Sequence, residues 1–456
     1  MTDDLATISS AADFRKLGPA PFNQTIRISQ AATWWQGHLY VGGGRGPVNQ
    51  RGAASDGPAD LGAEIMRLDP ATGAWQAAYH SPVGPDGVAR DRSVRGFAPF
   101  QGTSDTAPAL YAAVGSMSGQ VQILRSEDGS AFADCGPPAL GLGDADIAAV
   151  RCLFAHEGWL YTTPIGLNKA RGWADDNITD LAVVLRTRDP AGGDWQIISP
   201  PSFDDPANDS INELCLFGGR LYAATYNRTS GFQLWRSGDL SDEAPAWVKI
   251  LDKGAWRGMT NPMPTAMKVF DNALYIGTGV QRQPGQGLDA HGPFAPELLR
   301  VHPDDSWDLI AGQPRLTAQG LKTPLTGMGP GFDDPFVQAF WRLEVHDGAL
   351  FVGGSDWRFW PTYLGRPVRP RTDVSPVHLE WLREMTAEWQ GHYGMWKTTD
   401  GMHFATITTE GLGRSETQFG IRGLISTPHG LVALPAAKRG GSGGGVELWL
   451  GGGKKD

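Results

Sequence analysis

The sequence predicts an all-β protein: a single seven-bladed β-propeller of four-stranded antiparallel blades, with a helical insertion in blade 6. Three observations carry that reading. A tight turn, a Leu-Tyr-like pair and a run of small residues recur about every 65 residues. The copies are GHLYVGGG (37–44), ALYAAVGS (109–116), GWLYTTPIG (158–166), GRLYAATYN (219–227), NALYIGTG (272–279), GALFVGGS (348–355) and HGLVALPA (429–436). A second half-motif follows the first six copies, for example QILRSEDGSAF (122–132) and MWKTTDGMHF (395–404). It reads as an alternating strand, a turn built from Asp, Gly or Pro, and an aromatic opening the next strand. Finally, Gly numbers 61 and Trp 17 of 456 residues while only 19% are charged, which argues against helical bundles, coiled coils and disordered chains.

Two half-motifs per unit give four strands per blade. The propeller spans 27–452, with blades starting near 27, 94, 150, 211, 264, 340 and 421, and 453–456 form a tail. The last unit ends at VELWL (446–450) without a fourth strand. Segment 1–26 is expected to supply it through DFRKLG (13–18) and so close the ring. Turns between first and second strands are short, whereas extra residues gather near 44–63, 166–181, 279–296 and 355–393. The last of these is expected to hold a helix over 373–390, capped by Asp373 or Ser375, with Pro376 in its first turn. His378, Leu379, Leu382, Met385 and Trp389 follow at near-helical spacing. These connections emerge on one face of the ring, where binding and catalysis are expected.

Lys and Arg total 39 against 49 Asp and Glu, a net charge of −10, which opposes nucleic-acid and anionic-membrane partners. No apolar stretch approaches the ~18 residues of a membrane span. The acidic start MTDDLATISSAADF lacks the pattern of an export signal, so a cytoplasmic location is expected. Cys135, Cys152 and Cys215 lack metal-ligand spacing and read as reduced thiols. The histidines form no metal motif, and GGGRG (42–46) opens no helix, so no organic cofactor or site metal is predicted. Calcium, in the channel or at the Asp-rich loop 204–209, stays open as the metal alternative.

Candidate chemistry lies at the start of the innermost strands. SVRGFAPF, AVRCLFAH, FWRLEVHDG and GIRGLIS carry Arg95, Arg151, Arg342 and Arg422. Counted back from the turn glycine, Arg95 and Arg151 align, and Arg342 and Arg422 each fall one residue off. Guanidiniums converging on one funnel suit a carboxylate or phosphate. They equally suit ion pairs between blades, with Glu213 and Asp356 as partners. Blade 4 has Asn212-Glu213 in place of Arg, and its second strand ends at Tyr226-Asn227; that of blade 6 ends at Ser355-Asp356-Trp357. Asp356, Glu213 and Tyr226 are therefore the acid–base candidates, and Trp341 and Trp357 the aromatic substrate contacts. Trp34, Trp35, Trp173, Trp256, Trp360, Trp381 and Trp389 also fall outside the structural Trp positions of the repeat. The expected function is small-molecule modification in the upper funnel; the alternative is a non-catalytic propeller that binds a glycan, peptide or protein.

Two resemblances extend this reading. Ser126-Glu-Asp-Gly-Ser-Ala-Phe132 and Thr398-Thr-Asp-Gly-Met-His-Phe404 resemble degenerate Asp boxes, the structural turns of sialidases and other propellers. Arg27-Ile28 looks like the first arginine of a sialidase triad, which implies a sialidase-like glycosidase as a third option. INELCLFGGRLYAATYN with GFQLWRS (211–237), and FWRLEVHDGALFVGGSDW (340–357), are similar to bacterial propellers that include the cylindrocyclophane-type alkylating enzymes. That likeness spans the repeats and implies transfer of a secondary alkyl group from its chloride to a resorcinol ring. In that family the propeller works beside a calcium-binding domain, for which the 26 residues ahead of blade 1 are too few.

Overall fold

Seven first strands line up in chain order: Ile28–Trp35, Asp91–Phe100, Ala149–His156, Ser210–Phe217, Met263–Phe270, Val337–His346 and Gln418–Thr427. Each pairs antiparallel with the strand that follows it. In a computed structural model of the chain, each first strand packs against the first strand of the next unit, and the seventh against the first. The result is an all-β propeller of four-stranded units. The structure describes residues 7–17, 22, 26, 28–44, 62–70, 72–116, 121–143, 145, 147–166, 178–280, 295–356, 384, 393–413, 418–437 and 447–452. The expected 373–390 helix, apart from Glu384, lies outside them, as does most of each long connection.

The repeat is explained by what its residues touch. The leucines 39, 110, 160, 221, 274, 350 and 431 are all at most 2% exposed. They join cores shared by neighbouring blades, such as Tyr40, Ile65, Val94 and Leu124 in one and Tyr222, Leu234, Leu274 and Trp307 in another. Turns such as Gln36-Gly37 and Asp347-Gly348 hold both residues at positive φ. That is the geometry whose twist matches a two-residue hairpin.

In three blades the tyrosine of the repeat, Tyr40, Tyr222 or Tyr275, reaches the third-to-fourth-strand turn of the next unit, whereas Tyr111 donates to Asp105 of its own blade at 2.6 Å. Gly129, at φ +74°, donates its amide to Ser126 Oγ at 2.9 Å, and a Cβ there would overlap Tyr40 Oη. Between blades 5 and 6 the arrangement repeats, with the Gly401 amide on Thr398 Oγ1 at 2.9 Å and Tyr275 Oη in the space a Cβ would need. Between blades 4 and 5, Tyr222 Oη donates to Asp305 at 3.2 Å.

The last unit takes its outer strand from the chain start. Phe14, Arg15 and Lys16 pair with Gly451, Leu450 and Trp449, and Phe14 is buried among residues of blades 6 and 7. One element was not foreseen from the sequence: a hairpin of Arg315–Thr317 and Gly320–Lys322 between blades 5 and 6.

Candidate functional site

Every first strand breaks step with its partner at one level. The breaks lie between Ile28 and Ala31, Val94 and Gly96, Val150 and Leu153, and Ile211 and Glu213. They continue between Pro264 and Ala266, Phe340 and Arg342, and Ile421 and Gly423. Each is a β-bulge, which adds one residue and re-aims a side chain out of the pleat. Arg95, Arg151, Asn212, Thr265, Trp341 and Arg422 occupy this bulge in blades 2 to 7. Arg422 is thus in register with Arg95 and Arg151, contrary to the count from the turn glycine. In blade 7 the turn is Pro428-His429, and Gly430 already belongs to the next strand. Arg342 does fall one residue off, level with Glu213.

These side chains meet around the channel. Burial pushes the Arg422 pKa well below its ordinary value, the charges of Arg342, Arg151 and Arg95 push it further, and Glu213 opposes them. Blades 2, 3, 4, 6 and 7 therefore act on one another at a single place. Burial raises the Glu213 pKa against the pull of Arg342, Arg151 and Arg422. The side chains of Arg342 and Glu213 keep 23% and 18% exposure, so solvent reaches them.

The four arginines differ in their contacts. Arg342 donates from Nε to the carbonyl of Arg422 at 2.7 Å and from Nη1 to that of Thr265 at 3.5 Å. The same Nη1 lies 3.8 Å from Glu213 Oε1. Arg342 thereby bonds or pairs with groups of blades 4, 5 and 7. Arg95 donates from Nε to Ser93 Oγ at 3.1 Å. Arg422 places its guanidinium carbon 4.8 Å from the centre of the Trp341 ring, which is half-buried and lies 5.6 Å from Phe419. Asn212 Nδ2 donates to the Pro264 carbonyl, and Thr265 Oγ1 to that of Phe340 at 2.8 Å, so the bulge residues also bind blade to blade.

The structure thus brings together Arg95, Arg151, Arg342, Arg422, Glu213 and Trp341. Asp356 and Tyr226 lie higher, on second strands. Asp356 pairs with Val337, three positions beyond the residue opposite Arg342, or ~10 Å at a strand's rise. Tyr226 pairs with Ser210, two positions beyond the residue opposite Glu213, or ~7 Å. It packs with Ile178 and Met263, and the Arg228 guanidinium, itself paired with Asp209 at 2.6 Å, lies 5.9 Å from its ring. Trp357, Trp173, Trp360, Trp381, Trp389 and Arg27 lie outside the described residues. Trp34, Trp35 and Trp256 serve packing: Trp34 against His429, Trp35 against Tyr40, and Trp256 parallel to Trp307. In the 204–209 loop, Asp205 holds the Ala207 amide and Gln233, and Asp209 holds Arg228. Among the described residues no group of three or more His, Cys, Asp or Glu could hold a metal, and no helix is long and apolar enough to cross a membrane.

Sequence reasoning missed Ser93 and Thr265, which fix Arg95 and Arg342. Their signal is position alone, inside or beside the bulge.

No family model and no curated protein matches the chain. Among solved structures it is similar to a GH74 xyloglucanase from Xanthomonas campestris, with a TM-score of 0.48 and 14% identity. The match covers 97% of this chain and 56% of the xyloglucanase chain.

Proposed function

We propose that the protein is a small-molecule-modifying enzyme whose substrate presents, or releases, an anion at the arginine cluster of the channel. One observation carries the reading: Arg422 stands among three further guanidiniums while its own ring contact, Trp341, is half-buried. Charge gathered ahead of the reaction stabilises an anion as it forms without reorganising at that moment. Glu213, with its pKa raised by burial, serves as the acid–base group, and Arg342 holds it in place. Asp356 and Tyr226 would act on the part of the substrate nearer the mouth.

The likeness to alkylating propellers suggests a finer version, in which chloride is the anion released as an alkyl carbon bonds to an aromatic ring, and the proton that the ring carbon gives up passes to ionised Glu213. A thermal-shift series tests the general reading with carboxylates, phosphates, chloride and alkyl chlorides. Anions of one class should raise the melting temperature of the wild type and of Asp356→Asn, and leave Arg422→Gln unmoved. A protein that no anion stabilises, with Arg422→Gln melting early, would make the arginines structural ties and favour a propeller that binds a glycan, peptide or protein.

A further inference from the structure

The bulge level is not uniform around the ring. Blades 7, 2 and 3 present Arg422, Arg95 and Arg151, while blades 4, 5 and 6 present Asn212, Thr265 and Trp341. Blade 1, between blades 7 and 2, has Ser29-Gln30 at its bulge, so the three arginines stand on both sides of a blade uncharged at this level, and the other three blades carry an amide, a hydroxyl and an indole. The two sets meet where blade 6 adjoins blade 7 and again where blade 3 adjoins blade 4. Where blade 6 meets blade 7, the Arg422 guanidinium carbon lies over the Trp341 ring, 4.8 Å from its centre, and the Phe419 ring is 5.6 Å from the same indole. A charge-binding group and an aromatic surface so close together can be used by the two ends of one small molecule. A bare inorganic anion would use the first and leave the second without a role.

We infer that the ligand of this site is a ring-bearing acid, its carboxylate or phosphate held by Arg422, Arg95 and Arg151 and its ring laid against Trp341 beside Phe419. The inference rests on the anion-site reading above and adds the class of molecule. The orientation follows from the two sets: the acid group points to blades 7, 2 and 3, and ring substituents point to blades 4 and 5. On that side Asn212 and Thr265 are buried and donate to backbone carbonyls of the following blade, so they set the position of the wall. Aromatic faces favour flat or apolar ring surfaces, and a guanidinium next to the ring favours the acid beside it.

The inference is tested by titration of the full chain, followed by melting temperature and calorimetry. Acetate and inorganic phosphate serve as bare anions, benzoate and phenyl phosphate as ring acids, and benzyl alcohol as a ring without charge. Wild type, Trp341→Leu and Trp341→Phe are compared at matched ionic strength, with circular dichroism confirming the fold. The ring acids should bind at least about tenfold more tightly than the bare anions, which is ~1.4 kcal/mol. Trp341→Leu should erase that advantage and keep bare-anion binding, and Trp341→Phe should retain most of it. Benzoate no tighter than acetate, or an advantage that survives Trp341→Leu, overturns the ring-acid inference and leaves the anion site standing. Binding of no anion by the wild type brings down the anion-site reading itself. A preference for benzoate over phenyl phosphate, or the reverse, identifies the acid group.

Discussion

Glu213 is a negative charge built into a place that gathers positive ones. Because burial raises its pKa, the folded protein keeps the proton over a pH window that opens near the ordinary glutamate value of 4.5 and extends upward. Within that window the unfolded chain has already released it. The folded state then binds more protons, so stability falls as pH rises through the window. Glu213→Gln should flatten this slope in urea-unfolding midpoints taken from acid to neutral pH. On the alkaline side of that window, where Glu213 is ionised, the same variant should bind a test carboxylate severalfold more tightly, because a neutral amide no longer competes for Arg342, Arg151 and Arg422. In the wild type, affinity should rise as the solution is acidified into the window; equal affinity across it in calorimetry would contradict this role. Such residues were legible because charges interrupt otherwise apolar strands. The register of Arg422 was not, because the glycine used as a ruler sits inside a strand in blade 7 and inside the turn elsewhere.

At the scale of elements, the turns after the third strands of blades 2 and 6 are fastened twice, once by their own side chains and once by the preceding blade. Gly129→Ala places a side chain at φ +74° and against Tyr40 Oη. Left-handed backbone alone costs on the order of 1–3 kcal/mol, and displacement of Tyr40 adds to it. Ser126→Ala removes the hydrogen bond to the Gly129 amide and should cost ~1 kcal/mol. Chemical unfolding of both variants measures the two fasteners separately. The turn itself could be read from Asp-Gly and its flanking Ser or Thr. Its partner could not, since Tyr40 lies nearly ninety residues upstream and only the packing of blades brings it there. The Arg315–Lys322 hairpin escaped notice for another reason: three-residue strands give too short an alternation to stand out. Its Leu316 and Leu321, which face each other in register, are 77% and 68% exposed, so no buried face marked it either.

Across the whole molecule, the ring is closed by residues from both ends of the described chain. Phe14 is 6% exposed and packs near Gly451, where a Cβ would meet its ring at 2.6 Å. Phe14→Ala should cost about 3–5 kcal/mol, the range for removing a buried phenyl group. Removal of residues 7–17 should leave the edge of Trp449–Gly451 open and promote self-association, readable by light scattering on a sizing column. The need for such a strand was visible from counting: six units had four strands and the seventh had three. What counting could not supply was the register, which depends on Phe14 fitting over a residue without a side chain.

That closure has a consequence for how the protein comes into being. At about 5–20 residues per second, a ribosome takes roughly 20–90 seconds between adding Phe14 and adding Gly451. During that time six blades can assemble one after another, each supported by its predecessor. Strand Phe14–Lys16 meanwhile has no partner, and the blades on either side of the seam each show the nascent chain's surroundings one uncovered flank. A segment made early is thus among the last to settle. Chaperone dependence should therefore persist until strand Trp449–Gly451 has emerged, and a slowed ribosome would lengthen the exposure of the seam more than that of any single blade.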